Sequence, residues 1–559
     1  MSNVPGLSVV IPTFNRADEL RRCLHALTSQ TASLDSFEVV VVDDGSEDAT
    51  PQLLSEYDPP FRLRAERQPN AGQPAALNRG IRAASGTWCL FLDDDIVADP
   101  GLVAEHLETQ RREGGVIGLG TLRLSLAGKE GGLARYFAGW WETHYRRLDE
   151  GSRVPDFRAC YSGNLSAPTE ALRKVGGFDE SLPRSFDVEL AYRLVSSGLR
   201  IVYLPRAIGE QRYTKGFRGI VTDFDRAGTA AVALYRRHPE LSRYAPLGDF
   251  DHGGNKGLVA RRALLAVRAP VWPLALVDPL VRTRPPARAY AFLQLYCFWR
   301  SVRRALDDRD TWRRLTDAPV ILMYHALAQP GEQASRFVLP PSRLRRQLAW
   351  LRLRRRPVLS LDEYVAHRRE MQLPPARAVV LTFDDGYTDN AALMPLLRRN
   401  GMTATIFVVT GSVGDANRWD EEGPLAGRQL FSWDEMRELT GPELTFAAHT
   451  RSHPRLADID LDEAAGEIEA SRAAIARELG IDRPHFAYPF GNSSEAVRAL
   501  VAKAGFASGS GIARGTNGPA VPLENLRRLE VDGTRSLLRF VVDLWLGRPL
   551  VERASARTA

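Results

Sequence analysis

Cysteine is scarce: the 559 residues contain four, Cys23, Cys89, Cys160 and Cys297, far apart and with no Cys-x-x-Cys pair. That argues against a thiolate zinc site and a disulfide scaffold, and it suits a reducing compartment. Neither a Gly-x-Gly-x-x-Gly nor a Walker loop occurs, so the dinucleotide fingerprint and the P-loop are both missing. No basic helix is interleaved with aromatics, which sets nucleic acid aside as a partner despite a net charge of +6. Uninterrupted apolar runs of bilayer length are missing too. Ala263 to Val277 is broken by Arg268, Pro270 and Pro273, and an arginine near a helix centre costs about 2.5 to 3.5 kcal/mol on insertion. Ala289 to Trp299 is apolar and aromatic but much shorter than the ~20 residues a crossing needs. Flanked by Arg288, Arg300, Arg303 and Arg304, it has the pattern of an interfacial helix, and a linker helix packed between domains has the same pattern. The N-terminus, Met-Ser-Asn-Val-Pro-Gly, leads into a strand without a leader-like segment. The expectation is a cytoplasmic protein, with peripheral contact to the inner face of the membrane if the interfacial pattern holds.

What is present is the composition of a globular enzyme, 44% apolar and 25% charged, in a chain too long for one core. The expected division is residues 1–250, a basic, aromatic-rich connection over 251–317, and residues 318–559. In the last part, four strand-like runs end in polar groups. Ala378 to Phe383 ends at Asp384-Asp385-Gly386, Val320 to Tyr324 at His325, Leu444 to Ala448 at His449, and His485 to Tyr488 at Pro489-Phe490-Gly491. In a β/α barrel such ends share the carboxyl face, where catalytic groups gather. His449 and His453, four residues apart, reach one ion, and Asp385 completes a three-ligand site with an open position for water.

The first part repeats the pattern. Leu7 to Ile11 precedes Pro12-Thr-Phe-Asn15, Glu38 to Val42 precedes Asp43-Asp44-Gly45-Ser46, and Trp88 to Leu92 precedes Asp93-Asp94-Asp95, with helical periodicity between. Alternating strands and helices predict a mostly parallel sheet with its ligand outside the strands' carboxyl ends. Two carboxylates about 5 Å apart repel by roughly 3 kcal/mol at an effective dielectric near 20, so three in a row call for a cation. On an extended chain Asp93 and Asp95 share one side and suit Mg²⁺ or Mn²⁺ bridging to diphosphate oxygens.

With these motifs in place, residues 6 to 240 resemble the family 2 inverting glycosyltransferases of the GT-A fold. The matching text is Val9 to Arg16, Val41 to Ser46, Asn70 to Arg79, Phe91 to Asp95 and Gly176 to Glu180. The resemblance implies a Rossmann-like nucleotide-diphospho-sugar transferase domain in which Asp43 or Asp44 binds base and ribose and Asp93 with Asp95 holds the metal. The family's base lies in an acidic stretch that here reads Phe186-Asp-Val-Glu-Leu190, making Asp187 the base and Glu189 the fallback. Ser162, Asn164, Trp140 and Trp141 are candidates for an acceptor groove. The Gln-x-x-Arg-Trp motif of glycan-extruding members is missing, which favours single addition or short chains.

Residues 319 to 535 resemble the carbohydrate esterase family 4 polysaccharide deacetylases, or NodB-homology domains, on a distorted β/α barrel. The resemblance implies Zn²⁺ or a similar ion on Asp385, His449 and His453, Asp384 as the base, and an oxyanion donor in the Phe490 N–H. Ala487 stands where many members place an arginine that orients the base, and no histidine follows His485 to act as the late acid. His325, at the end of Leu322-Met-Tyr-His325, is assigned as the acid by resemblance to the biofilm poly-N-acetylglucosamine deacetylases. Together the halves imply transfer of a sugar, an N-acetylhexosamine in the first instance, from a nucleotide-diphosphate donor to a glycan or lipid-linked acceptor, and metal-dependent removal of an N-acetyl group. The alternative is one catalytic half beside a glycan-binding or regulatory module.

Overall fold

The β-branched runs of the first part become core strands because almost every side chain on them is buried: Val9, Val10, Ile11, Val39, Val40, Val41, Leu90 and Phe91 are fully covered. The computed structural model describes residues 5–549 apart from 127–130, 245, 253, 282, 284 and 285. Its residues divide into two units, Met1–Leu234 with Arg268–Val302, and Tyr235–Val267 with Arg303–Ala559.

In the first unit, β1 (Leu7–Thr13), β2 (Phe37–Asp43), β3 (Arg62–Arg67), β4 (Trp88–Leu92), β5 (Ile96–Ala98), β6 (Ile117–Leu126), β7 (Asn164–Pro168) and β8 (Ile201–Tyr213) form one sheet in the order β3-β2-β1-β4-β7-β6-β8-β5. β1 runs parallel to β2 and β4, pairing Thr13 with Asp43 and Val10 with Phe91. Their carboxyl ends therefore lie side by side, bringing Asn15, Asp43 and Asp93 to one edge. Beyond β4 the sheet is mixed, because β7 is antiparallel to both β4 and β6. The helix expected over residues 18–27 is Ala17–Leu27, with Asp18 and Glu19 in its first turn.

The second unit holds β9 (Val320–Tyr324), β10 (Ala326–Leu327), β11 (Val338–Leu339), β12 (Val358–Leu359), β13 (Val379–Phe383), β14 (Ala404–Val408), β15 (Leu444–Ala448), β16 (Phe486–Ala487), β17 (Gly509–Ser510) and β18 (Arg528–Glu530). The main sheet runs β17-β16-β15-β14-β13-β9-β18, all parallel, with β12 against β13. Its two ends meet through the Ser510–Leu526 bridge and the Gly511 N–H to the Leu526 carbonyl. A distorted β/α barrel results, and the four runs ending in polar groups are strands with those ends on one face.

Residues 251–317 divide between the units. Helix Gly254–Val267 ends before Arg268, and the apolar stretch continues only as Leu274–Val277. Helix Ala287–Ala305 buries Tyr290, Leu293, Tyr296, Cys297, Phe298, Trp299 and Val302. The segment 289–299 is thus a core helix, and the interfacial reading of it is withdrawn: its aromatic stripe faces protein, with the Phe298 backbone against Gly228 of helix Phe217–Arg237 and Arg300 paired with Asp225 at 2.6 Å. No helix among the described residues is long and apolar enough to cross a membrane.

Candidate active sites

In the first unit the chain turns immediately after β4. Asp94 and Asp95 lie in that turn, closed by the Ile96 N–H to the Asp93 carbonyl, so the extended geometry expected for Asp93 to Asp95 is replaced by a bend. The bend sorts the carboxylates. Asp94 is buried against the Thr13 hydroxyl and Arg16, both at 2.8 Å, while Asp93 and Asp95 line a cavity of about 300 Å³ with Asp187. Asp93 accepts from Gln73 at 2.9 Å; Asp95 accepts from Gln211 and Arg16, both at 3.0 Å. Burial, then Asp95, Asp94 and Asp187, push the Asp93 carboxyl up to about 8, and burial raises Asp94 to about 6. Burial and mutual repulsion thus disfavour the charged form of Asp93, the condition a divalent ion would relieve, and the space it lines with Asp95 and Asp187 suits such an ion and a diphosphate.

Asp43 and Asp44 divide their work. Asp44 accepts from the Gln68 side chain and from the Ala71 and Gly72 N–H groups at 2.8 to 2.9 Å, so it holds the loop into helix Gln73–Ala83. Gly45 permits the approach of that loop, since a Cβ there would lie 2.8 Å from the Asn70 nitrogen, and its φ is +85°. Asp43 accepts from the Ser46 N–H and faces Arg67 at 3.4 Å, and its buried Oδ2 has no hydrogen-bond partner. Of the two, Asp43 keeps acceptor capacity for a ligand. Asn78 ties two of the quoted motifs together, donating to the Phe178 carbonyl and accepting from the Phe178 N–H.

Asp187 stands in the first turn of helix Phe186–Ser196, one position inside Phe186, with Ser185 as the cap. It accepts from the Val188 N–H at 2.9 Å and the Ser162 N–H at 3.4 Å, and burial raises its carboxyl. Glu189 is buried and gripped at both oxygens by Arg193, at 2.7 and 2.6 Å. Trp141, Tyr161, Ser162 and Gly163 line the cavity. Asn164 does not: it is fully buried and spans His106 and the Thr121 and Ala207 carbonyls. Trp140 is outside the cavity lining, stacked on Phe137 and 43% exposed.

In the second unit the strand ends converge on a cavity of about 400 Å³ lined by His325, Asp384, Asp385, His449, His453, Phe490 and Arg528. His449 donates Nδ1–H to the Ala487 carbonyl at 2.8 Å, an acceptor only, which leaves Nε2 as the free lone pair. Nε2 of His449 and Nε2 of His453 each lie 3.4 Å from Oδ1 of Asp385. Two ligands about 2.1 Å from a tetrahedral ion are themselves about 3.4 Å apart, so the spacing fits a shared metal better than hydrogen bonds. Among the described residues this is the only trio of metal-capable side chains within 4.8 Å of one another. Tyr387 donates to the other Asp385 oxygen at 2.8 Å and accepts from Asn417 at 2.8 Å.

Strain accompanies the site. Asp385, Thr450, His453 and Phe490 have φ of +77°, +68°, +65° and +55°, each costing on the order of 1 to 3 kcal/mol and held by the surrounding packing. Trp419 stacks on His453 with centroids 4.6 Å apart. The Pro489–Gly491 turn is closed by Gly491 N–H to Tyr488 and Asn492 N–H to Pro489, neither of which uses the Phe490 N–H. His325 lies against Phe337 with centroids 4.9 Å apart, and its backbone carbonyl accepts from Asn390. His485 bonds Ser508 and Asp362 and is absent from the cavity lining.

One member of the site had no counterpart among the sequence candidates. Arg528, fully buried on β18, donates to both oxygens of Asp384 at 2.6 and 2.9 Å. Burial alone would raise the Asp384 carboxyl, but Arg528, then His449 and His325, outweigh it and hold it below the ordinary range. The only signal in the sequence is that a buried carboxylate needs a counter-charge.

An α/β unit with a carboxylate-lined cavity beyond its parallel strands, and a parallel barrel with an Asp-His-His trio at its carboxyl face, are the two classes that fold and site define. Residues 8–176 match the family model described as glycosyl transferase family 2, and residues 372–509 match that described as polysaccharide deacetylase. The chain therefore fuses a glycosyltransferase domain to a polysaccharide deacetylase domain. It is 30% identical to a validoxylamine A glucosyltransferase of Streptomyces hygroscopicus subsp. jinggangensis over 43% of this chain and 63% of that protein. It is 31% identical to a pre-mycofactocin glycosyltransferase of Mycobacterium tuberculosis over 43% of this chain and 49% of that one. The Streptococcus pyogenes deacetylase PplD, solved with acetate, shares 22% identity over 41% of this chain and 98% of its own, with a TM-score of 0.35. The chain spans less than two-thirds of the length of these curated glycosyltransferase relatives.

Proposed function

We propose that the chain is a bifunctional enzyme. Its first unit transfers a sugar, an N-acetylhexosamine in the reading favoured here, from a nucleotide-diphosphate donor to a glycan or lipid-linked acceptor with inversion. Its second unit hydrolyses an N-acetyl group of a glycan. The observation that carries the second activity is the 3.4 Å spacing of the Asp385, His449 and His453 ligand atoms beside the Arg528-held Asp384.

In the transferase, Asp43 receives the base and ribose, and Asp93 with Asp95 would hold Mg²⁺ or Mn²⁺, which would supply positive charge to offset that of the diphosphate. Asp187, its carboxylate oriented by the Val188 and Ser162 N–H groups, takes the acceptor hydroxyl proton. Glu189 is left to structure, since it is buried and absent from the cavity lining, whereas Asp187 lines it.

In the deacetylase, Zn²⁺ or a similar ion on Asp385, His449 and His453 supplies acidified water and a polarised carbonyl when bound. Asp384, kept anionic by Arg528, takes the proton of the attacking water. His325 delivers a proton to the leaving nitrogen, which departs as an amine. The Phe490 N–H donates to the oxyanion.

Acetate release from N-acetylglucosamine oligomers by the metal-loaded protein, run beside Asp384→Asn, tests the second activity. Release by the parent alone supports it; equal release by both removes Asp384 as the base. Donor turnover with UDP-N-acetylglucosamine and Mn²⁺, run beside Asp93→Asn, tests the first.

A further inference from the structure

The first unit carries an apolar surface that neither proposed site uses. Between Arg268 and helix Ala287–Ala305 the chain exposes Trp272, Leu276 and Leu280 at 64%, 74% and 79%, and Leu274 and Val277 at about half. Large apolar side chains clustered at this exposure are unusual on a soluble surface and mark an interaction site. The cluster is built on a short helical stretch, Leu274–Val277 followed by Asp278–Val281, stiffened by Pro270, Pro273 and Pro279.

Two further observations say what this surface meets. The first is charge. From residue 268 to 288 the sequence carries four arginines, Arg268, Arg282, Arg284 and Arg288, and one acid, Asp278. That acid is buried and turned inward, accepting from the Leu133 N–H at 2.8 Å and the Tyr290 hydroxyl at 2.6 Å. Arg268 and Arg288 are exposed at either end of the apolar cluster. Among the described residues of the segment the exposed charges, Arg268 and Arg288, are therefore cationic, with an indole and leucines between them in sequence, the chemistry that sits at an anionic lipid interface.

The second is rigidity. Asp278 caps helix Gly132–Asp149 at its second residue. A Cβ on Gly131 would collide with the Asp278 carboxylate, and one on Gly132 would lie 2.6 Å from the Tyr290 hydroxyl and 3.0 Å from Val281. Both positions thus need glycine for the segment to seat. The same helix carries Phe137 and Trp141 into the carboxylate-lined cavity. We infer that residues 268–281, together with Arg288, form a membrane-docking surface for an anionic bilayer, bolted through Asp278 to the helix that lines the transferase cavity, so that docking presents that cavity to an acceptor carried in the lipid. The acceptor clause rests on the proposed transferase reading; the docking does not.

Flotation of the full-length protein with phosphatidylcholine vesicles, with and without 30% phosphatidylglycerol as roughly typical anionic content, tests it directly. The parent floats with the anionic vesicles and is released by salt. Leu276→Ser/Leu280→Ser lowers partitioning by roughly tenfold or more, as expected for apolar area withdrawn from the interface, and Arg268→Gln/Arg288→Gln lowers it by roughly fivefold per arginine. Both variants keep the parent's melting temperature and its donor turnover in solution. Absence of flotation, or flotation unchanged in both variants, overturns the inference. So does concentration-dependent dimerisation abolished by Leu276→Ser/Leu280→Ser without lipid binding, which assigns the surface to a second copy. Because flotation is read without turnover, an inactive transferase leaves this test standing.

Discussion

Arg528 grips both carboxylate oxygens of Asp384, at 2.6 and 2.9 Å, from a strand 144 residues further along the chain. The arginine expected near Pro489 is replaced by alanine, yet the counter-charge is present, brought by β18 on the other side of β9. Ala487 contributes in its own way, since its carbonyl fixes the tautomer of His449.

Removing that counter-charge separates orientation of the base from metal binding. Arg528→Met strands a buried carboxylate, at a cost on the order of 3 to 5 kcal/mol. Asp384 then titrates higher, and acetate release falls by roughly a hundredfold or more. Metal content by atomic emission stays at the parent's level, because the Asp385, His449 and His453 contacts are untouched. A variant with full acetate release would remove Arg528 from the mechanism.

Tyr387→Phe tests the support behind the Asp385, His449 and His453 trio proposed to hold the metal. The Tyr387 hydroxyl relays Asn417 to Asp385, and loss of such an outer partner typically lowers metal affinity by roughly 10- to 100-fold. Chelator competition reads the affinity, and thermal unfolding of the metal-free protein checks that the fold is kept. Unchanged affinity would make the tyrosine a packing residue.

Asp187 and Glu189 separate by the kind of damage they cause. Asp187→Asn lowers transfer by roughly 10²- to 10⁴-fold while donor binding, read by calorimetry, survives. Glu189→Gln weakens the clamp through which Arg193 also holds the Val175 and Gly177 carbonyls, so the expected outcome is lower stability with turnover per folded molecule preserved. The reverse pattern would move the base to Glu189.

Local signals in the sequence reached as far as the strand ends. An apolar run that stops at Asp384-Asp385, at His449 or at Asp93 declares both its burial and its working end, and parallel pairing then gathers those ends. Two kinds of feature were out of reach. Arg528 becomes a site residue only because the barrel closes β18 beside β9, a pairing that nothing near position 528 announces. The stripe Tyr290, Leu293, Tyr296, Cys297 and Trp299 has the same period whether it faces lipid or protein, so only the packing of Phe298 on Gly228 distinguishes them. The Asp93 to Asp95 turn belongs with these: both carboxylates reach the cavity, but through a bend that the spacing of residues does not encode.

His106 gives the first unit a calculable acid sensitivity. It is wholly buried, with Nε2–H donating to Asn164 and Nδ1 accepting from Ser166, whose oxygen in turn accepts from Gln110. Burial holds its pKa at about 4 against an ordinary 6.5. Above pH 6.5 the ring is neutral folded and unfolded, and the network's contribution is fully present. As pH falls from 6.5 towards 4 the unfolded chain takes up a proton that the native ring refuses, and stability drops by about 3 kcal/mol in all, at 1.36 kcal/mol per unit. His106→Gln removes this titration at the cost of lower stability at pH 7, so its urea-unfolding free energy falls less steeply over that window. Carboxylates such as Asp93 titrate nearby, but they do so in both proteins and cancel in the difference. Parallel curves for parent and variant between pH 7 and pH 4.5 would show that the buried imidazole is not the titrating group.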